Sequence, residues 1–415
     1  MSERIISNKQ EFDFSNVLTK FKYFILAIQH LLAMFGATVL VPILTGFDVS
    51  VALVCAGIGT LSFHFITKNK VPVFLGSSFA FIPVIIAVRE QFGDLAYAQG
   101  GIIVSGLAYI SMSLLVKKFG VEKIKSLFPD YIVGSMIIVI GLNLVPVAFN
   151  MASSNFLVAS ITLITAVCIS RFANGFLKQL SIIIAIFLGY FIAFSMGLVD
   201  LTEVKESNIL IMPSFRAPKF DLGAILMIAP VVLAVFMEHI GDITTNGTVV
   251  SKNFLKDPGL NRTLLGDGVA TMIAGFLGGP ANTTYGENTG VLAVTKNYDP
   301  KILRIAALFA IILGFVGKLG SLIQTIPVCV MGGISLMLFS MISLVGFKTL
   351  KNTKDKYDYK KYIIMFVIIF VGLIAPNIKE YLNMNIGIQI TKEISLSGLS
   401  LASLLGVVLN KVLNR

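Results

Sequence analysis

The chain has 415 residues, of which 56% are hydrophobic and only 13% charged, with a mean hydropathy of +0.87. Soluble domains carry about 45–50% apolar and about 25% charged residues, so a water-soluble enzyme, a disordered chain and a coiled coil are all excluded. The apolar excess runs from Tyr23 to the C-terminus, the pattern of a polytopic membrane protein embedded in a lipid bilayer. The formal charge of +11 sits in short loops between apolar runs. There it sets orientation in the bilayer rather than marking a nucleic-acid partner.

A hydrocarbon core of about 30 Å needs about 20 apolar residues per helix. In chain order, apolar runs lie near 24–45, 50–67, 71–88, 100–116, 131–149, 156–170 and 180–199. The polar stretch Asp200 to Asp221 follows, and then runs near 222–240, 263–279, 281–295, 302–319, 321–347, 362–376 and 396–412. The expected architecture is an all-α bundle of fourteen transmembrane spans. A cytoplasmic tail (1–22) precedes a first half (23–199), an extracellular loop (200–221) and a second half (222–412). With both termini cytoplasmic, 26 of the 33 Lys and Arg fall on the inside and 7 outside. A miscounted span would invert every later loop and blur that asymmetry.

Two runs are wrong for simple helices. The third contains Pro72, Gly76 and Pro83 around Ser77, Ser78 and Phe79, and the tenth runs from Pro280 through Asn282, Thr283, Thr284, Tyr285, Gly286, Glu287 and Asn288. Unpaired backbone groups in hydrocarbon cost several kcal/mol, so such segments survive only where protein or a cavity covers them. Broken segments at matching places in two halves point to a transporter binding site. Gln29–His30 in the first run mirrors Glu238–His239 in the eighth, with the broken segments following at nearly equal distance. An internal repeat used twice explains the match, and an odd number of spans per half makes the second copy inverted.

Charged side chains inside the runs are few and clustered. Glu238 and Asp242 are four apart, on one face of a helix, and Glu287 lies within the broken tenth run. Acidic groups at membrane depth usually face a cavity or a proton path. Two carboxylates close together in low dielectric do not easily both ionise, so such a site can bind and release a proton. Structural readings stand beside this one. Glu238 can be a satisfied helix-contact carboxylate, Asp242 can be hydrated at a helix end, and Glu287 can cap a half-helix. His30 and His239 are expected to bond to backbone, Asp267 to be as much structural as functional, and Phe79 to be packing unless it faces Glu287. His64 is placed near a loop with no role. Cys55, Cys168 and Cys329 stand singly in apolar runs, so neither a disulfide framework nor a metal site is indicated.

The stretch Glu287-Asn288-Thr289-Gly290-Val291-Leu292-Ala293-Val294-Thr295-Lys296 resembles the signature of the nucleobase–ascorbate transporter family: Gln, Glu or Pro, then Asn-x-Gly, four residues, Thr, and Arg, Lys or Gly. Asn282 to Asn288 (NTTYGEN), Val73 to Ile82 (VFLGSSFAFI) and Gln29 to Pro42 (QHLLAMFGATVLVP) are similar to the uracil-type bacterial members. The resemblance implies two inverted seven-span repeats, with spans 1–4 and 8–11 as a core domain and spans 5–7 and 12–14 as a gate domain. Short strands are implied in spans 3 and 10.

It further implies that Glu238 and Glu287 bind the base, that Phe79 packs on it, and that backbone around Tyr285 and Gly286 completes the pocket. Gln29, His30, Ser78 and Asn288 would support the site. Asp242 stands where some members carry a proton-coupling histidine, leaving Glu238, Asp242 and His239 as candidates for that task. The implied activity is proton-coupled uptake of uracil across a bacterial inner membrane. No cofactor is implied beyond the proton, with sodium an alternative, and a homodimer through the gate domain is a further expectation. A purine such as xanthine is the nearest alternative substrate, and a passive channel is a different-class reading. An anion carrier fits less well, since mid-membrane carboxylates repel anions. An intramembrane enzyme would need a metal motif, an aspartate-rich phosphate motif or a nucleophile–base pair, and none is apparent.

Overall fold

The computed structural model describes residues 14–126, 129–352, 358–374, 388–389, 395–396 and 398–413. In chain order the principal elements are α1 (Phe14–Thr45), α2 (Val49–Ile66), β1 (Leu75–Ser77), α3 (Ile82–Phe92), α4 (Leu95–Phe119), α5 (Asp130–Ser153), α6 (Phe156–Phe172) and α7 (Ser181–Ser195). They continue with α8 (Leu222–Val250), α9 (Leu260–Leu277), β2 (Asn282–Thr284), α10 (Gly286–Thr295), α11 (Pro300–Gly314), α12 (Val328–Asn352), α13 (Tyr359–Ile369) and α14 (Gly398–Leu413). Among the described residues, six helices are long and apolar enough to cross a membrane: α4, α5, α8, most of α1 and α12, and the 18-residue α2. This is a multi-pass helical membrane protein.

Acidic and amide side chains fix where the helices start. Asp48 accepts from Ser50 N at 2.7 Å to open α2, Asp94 from Ala96 N at 2.9 Å to open α4, and Asp221 from Gly223 N at 2.7 Å to open α8. Asp299 accepts from Lys301 N at 2.9 Å, with Pro300 in the first turn of α11. Each satisfies N–H groups that the helix itself leaves unpaired. Pro230 turns the second quarter of α8 into a short 3-10 stretch, Ala229–Val231, without ending it.

Some boundaries differ from the apolar runs. α1 begins at Phe14, upstream of the run near 24, because neither Gly nor Pro interrupts the chain before Gly36. The run 321–347 is not one helix. A short helix, Gly317–Gln324, ends ahead of Pro327, and α12 starts just past that proline. The stretch 200–221 holds a five-residue helix, Thr202–Glu206, and an antiparallel bridge from Leu210 to Val316. Most of 375–397 lies outside the described residues, apart from a short pairing of Ile388–Gln389 with Ser395–Leu396.

Helices meet through glycine. An ideal Cβ on Gly57 of α2 would sit 2.5 Å from Ala307 O of α11, and one on Gly106 of α4 would sit 2.7 Å from Gly268 O of α9. An ideal Cβ on Gly141 of α5 would lie as close to Phe339 O of α12, at 2.6 Å. Bare backbone at these points lets helices approach where lipid gives no hydrophobic drive to do so.

Loops meet in two groups at opposite ends of the bundle. At one end Lys70 pairs with Asp257 at 2.6 Å, Tyr23 donates to Asp299 at 2.7 Å, and Arg304 bonds Asn69. At the other, Lys219 pairs with Asp94 at 2.9 Å, Arg89 donates to Thr45 O at 2.9 Å, and Ser214 N reaches Asp48 at 3.3 Å. The first group holds the loops that the charge count places inside, and the second those it places outside.

Candidate functional site

β1 and β2 pair antiparallel in the middle of the bundle, with Leu75 opposite Thr284, Gly76 opposite Thr283 and Ser77 opposite Asn282. Ser78 N to Ala281 O (2.8 Å) and Tyr285 N to Phe74 O (2.9 Å) extend the ladder at both ends. All six strand residues are buried, so the outer edges of this two-stranded sheet need partners. Threonines supply them. Thr60 of α2 accepts from Leu75 N at 2.9 Å, and Thr271 of α9 donates to Asn282 O at 3.0 Å. Gly76 is required here because an ideal Cβ would come within 2.5 Å of the Tyr285 ring. That ring lies across β1, with its hydroxyl donating to Ser77 O at 2.9 Å.

Each strand hands over to a helix start. Ser78 precedes the 3-10 turn Phe79–Phe81 and α3, while Tyr285 precedes α10 with Glu287 in its first turn. Helix N-termini present free N–H groups and a positive dipole end, and two of them flank the strand pair. α8 runs alongside. Thr284 Oγ1 donates to Asp242 Oδ2 at 3.2 Å, tying β2 to that helix, and an ideal Cβ on Gly286 would stand 4.0 Å from Asp242 Oδ1. Glu238 lies one turn earlier on the same face.

Exposure defines the cleft. Glu238, Asp242 and Glu287 are half-buried and Gly286 is exposed, although their neighbours Tyr285, Asn288 and His239 are buried. Towards the C-terminal end of α8, Gly241, Thr244, Thr245 and Thr248 are exposed, and nothing lies within 4 Å of a Cβ at Gly241. The cleft therefore opens towards the end of the bundle that carries Lys70 and Asp257. On its other side, Leu40 and Val41 of α1 and Ile82 of α3 pack with Leu144 of α5 and Met331 and Phe339 of α12. Half-buried Phe79 meets Phe339 edge to face, with centroids 6.4 Å apart.

The supporting residues are held by specific contacts. Asn288 Nδ2 donates to His30 O at 2.9 Å and lies 3.2 Å from His30 Nδ1, tying α10 to α1. Buried oxygens of Gln29, Ser78, Thr283 and Asn288 have no partner among the described residues. His239 turns into the contact between α8 and α9, where Nδ1 lies 2.8 Å from Asp267 Oδ2 and Nε2 2.9 Å from Thr263 Oγ1. The expectation of backbone bonding is thus corrected for the rings of both His30 and His239, which meet side chains instead. His64 lies in the last turn of α2, next to the loop as expected, and is buried with Nε2 2.8 Å from Val73 O.

The sequence reading missed Thr284, and it missed Asn246. The Asn246 amide donates to Pro72 O at 2.9 Å and to Thr289 at 3.1 Å, locking α8 to both broken segments. The signal was present: positions 238, 242 and 246 form one polar stripe at helical spacing. Among the described residues, no group of three or more His, Cys, Asp or Glu is placed to hold a metal ion.

A family model described as "Permease family" (Xan_ur_permease) matches residues 21–381. The chain belongs to this permease family. It is 39% identical over 422 residues to the uracil permease of Bacillus caldolyticus, covering 98% of this chain and 95% of that one. It is 39% identical over 400 residues to the uracil permease of Escherichia coli strain K12, covering 93% and 90%. These relatives are transporters by name, and the chain is a transporter and not an enzyme. The fold is that of the transmembrane domain of a cyanobacterial bicarbonate transporter, BicA, with a TM-score of 0.65 at 15% identity over 96% of this chain and 98% of that one. The murine anion transporter Slc26a9, in an inward-facing state, matches with a TM-score of 0.67 at 11% identity, over all of this chain and 73% of that one.

Proposed function

We propose that this permease is a proton-coupled importer of uracil in a bacterial inner membrane, with both termini cytoplasmic. The observation that carries the reading is the junction at β2 and α10. There Glu287, at a helix N-terminus, and Glu238 and Asp242, on α8, are partly accessible side chains in an otherwise buried bundle. Uracil is a flat, neutral ring with two N–H donors and two carbonyl acceptors. Carboxylates at Glu238 and Glu287 accept the N–H groups strongly, and free backbone N–H groups at the start of α10 can meet a carbonyl. Phe79 offers an aromatic wall beside the site. A site that bonds those edges rejects analogues lacking them by large factors.

The fourteen elements α1 to α14 are read as fourteen spans in two inverted repeats. The matched packing supports this: α2 on α11 answers α4 on α9, and Thr60 on β1 answers Thr271 on β2. Spans 1–4 and 8–11 form the core, and spans 5–7 and 12–14 the gate. The open end of the cleft faces the cytoplasm, and the apolar contact of Phe79, Ile82 and Leu40 with α5 and α12 closes the outer side. Transport then requires the core to shift against the gate so that this contact parts. Asp242, held by Thr284 and exposed to the cleft, is the proton carrier, with Glu238 its neighbour one turn away. His239, turned into the α8–α9 packing, stands as a positioning group for that helix.

The test is uptake of labelled uracil into proteoliposomes, with and without an inward proton gradient and, in parallel, a sodium gradient. Accumulation driven by protons and collapsed by a protonophore supports the reading, and Glu238→Gln and Glu287→Gln should then lose uptake at least tenfold. Equilibration indifferent to either gradient points to a facilitator. Gradient-driven uptake of labelled xanthine, with none of labelled uracil, moves the substrate to purines.

A further inference from the structure

At the end of the bundle away from the cleft opening lies a cavity of about 210 Å³. It is lined by Phe47 and Asp48 from the α1–α2 turn, Leu95 and Gln99 from α4, Ser214 and Arg216 from the 200–221 segment, Gly278 after α9, and Gln324 from the short helix ahead of α12. This is smaller than the roughly 300–1,000 Å³ of pockets for drug-sized ligands, so it has room for one small molecule.

Its walls are rigidly set. Asp48 Oδ1 caps α2, and its Oδ2 takes Ser214 N at 3.3 Å, which pins the long segment over the cavity. Gln99 is wholly buried, and its side-chain amide, turned so that the nitrogen faces the 200–221 segment, donates to the backbone oxygens of Ala217 at 3.2 Å and Arg216 at 3.3 Å. Gly278 is left-handed (φ +92°), and a Cβ there would crowd both Gln99, at 3.1 Å, and Arg216 N, at 2.9 Å. The Arg216 side chain is not spent on holding this frame. It forms no ion pair within 4.0 Å among the described residues, although its charge reaches Asp94.

The cavity thus offers the Arg216 guanidinium, the Asp48 carboxylate, the Ser214 hydroxyl, the Gln324 amide and the remaining oxygen of Gln99, between apolar walls from Phe47 and Leu95. Donors and acceptors together in so small a space suit a neutral cyclic imide or lactam, which carries both on one edge. Its position adds a second argument. Gln324 belongs to the chain leading into α12, whereas Asp48 and Gln99 belong to α2 and α4, so the cavity spans two parts of the bundle outside the apolar contact of Phe79 and Phe339.

We propose that this cavity is a second, weaker binding site for the transported base, occupied on the outer side before the apolar contact parts. The proposal rests on the function proposed above. Bound here, the base places a carbonyl on Arg216 and an N–H on Asp48, with Gln324 closing over it.

The experiment is equilibrium binding of radiolabelled uracil to the purified full-length protein in nanodiscs, paired with uptake by the same variants. The wild type should bind two molecules per chain, one tight and one at least tenfold weaker. Arg216→Ala and Gln324→Ala should remove the weak component and raise the uracil concentration for half-maximal uptake three- to tenfold, with little change at saturation. Arg216→Lys should restore part of it, and Glu287→Gln should remove the tight component and keep the weak one. A single site in the wild type, or unchanged isotherms and uptake in both variants, overturns the outer site while leaving uracil transport intact. No uracil bound by the wild type overturns both.

Discussion

The hydroxyl of Thr284 donates to the Oδ2 of Asp242 across 3.2 Å, so the last residue of β2 holds a half-exposed carboxylate of α8 in the cleft. The strand pair and the acidic face of α8 are therefore joined directly. Asparagine at 242 keeps an acceptor for Thr284 but cannot carry a proton. Asp242→Asn should bind uracil within about threefold of wild type yet only equilibrate it, losing proton-driven accumulation. Asp242→Ala should in addition cost about 1–2 kcal/mol of stability from the lost hydrogen bond. Counterflow, gradient-driven uptake and thermal unfolding separate these effects, and accumulation by Asp242→Asn at wild-type level would remove Asp242 from the coupling step.

His239 and Asp267 form a wholly buried contact at 2.8 Å, completed by Thr263. Removing one partner of a buried hydrogen bond leaves the other desolvated and unsatisfied, which costs about 1–3 kcal/mol and more where the group left behind is charged. His239→Leu should lower the unfolding temperature strongly. His239→Gln, which can still donate to Asp267, should recover much of the loss. If both variants unfold like wild type, the pair does not hold α8 on α9.

Gly241 lies between the two acidic residues of α8, exposed, and a Cβ added there would meet no atom within 4 Å. Gly241→Ala should fold at least as well, gaining up to about 1 kcal/mol of helix propensity, and should still transport. Gly241→Phe should fold too but fill the opening, lowering uptake tenfold or more at unchanged unfolding temperature. Normal uptake by Gly241→Phe would place the substrate path elsewhere.

Asp94 joins the start of α4 to the 200–221 segment. The Ala96 N–H first, and Lys219 second, hold its carboxyl below the usual carboxylate range. An unfolded Asp titrates at about 3.9, so the folded form binds its proton less readily. The contribution is present above that value and is lost as pH falls through the lower, folded one. The side chain is 36% exposed, so the ion pair itself contributes below about 1 kcal/mol and less at high salt. Asp94→Asn keeps a good cap and should show a small loss at pH 7. Asp94→Ala loses the cap as well, about 1 kcal/mol. The Asp94→Asn difference from wild type should fade as unfolding is followed from pH 7 down towards pH 3. A difference that persists there would mean the charge is not its source.

The residues themselves determined the class of this protein. Apolar runs of bilayer length, Lys and Arg gathered in alternate loops, and two proline- and glycine-broken segments are local properties of the chain, legible without coordinates. So were Glu238, Asp242 and Glu287, because a carboxylate in an apolar run is conspicuous wherever the run packs. Contacts between residues far apart in sequence were decided only by the tertiary structure. β1 and β2 are three residues each and carry no period that names a partner. Thr60 and Thr271 look like any hydroxyls in apolar helices until the sheet edge needs them. His239 meets Asp267 because α8 and α9 cross at that height, and Phe79 meets Phe339 because the bundle closes on that side. Local pattern records what a segment can bury, whereas the partner is chosen by how all the buried faces fit together at once.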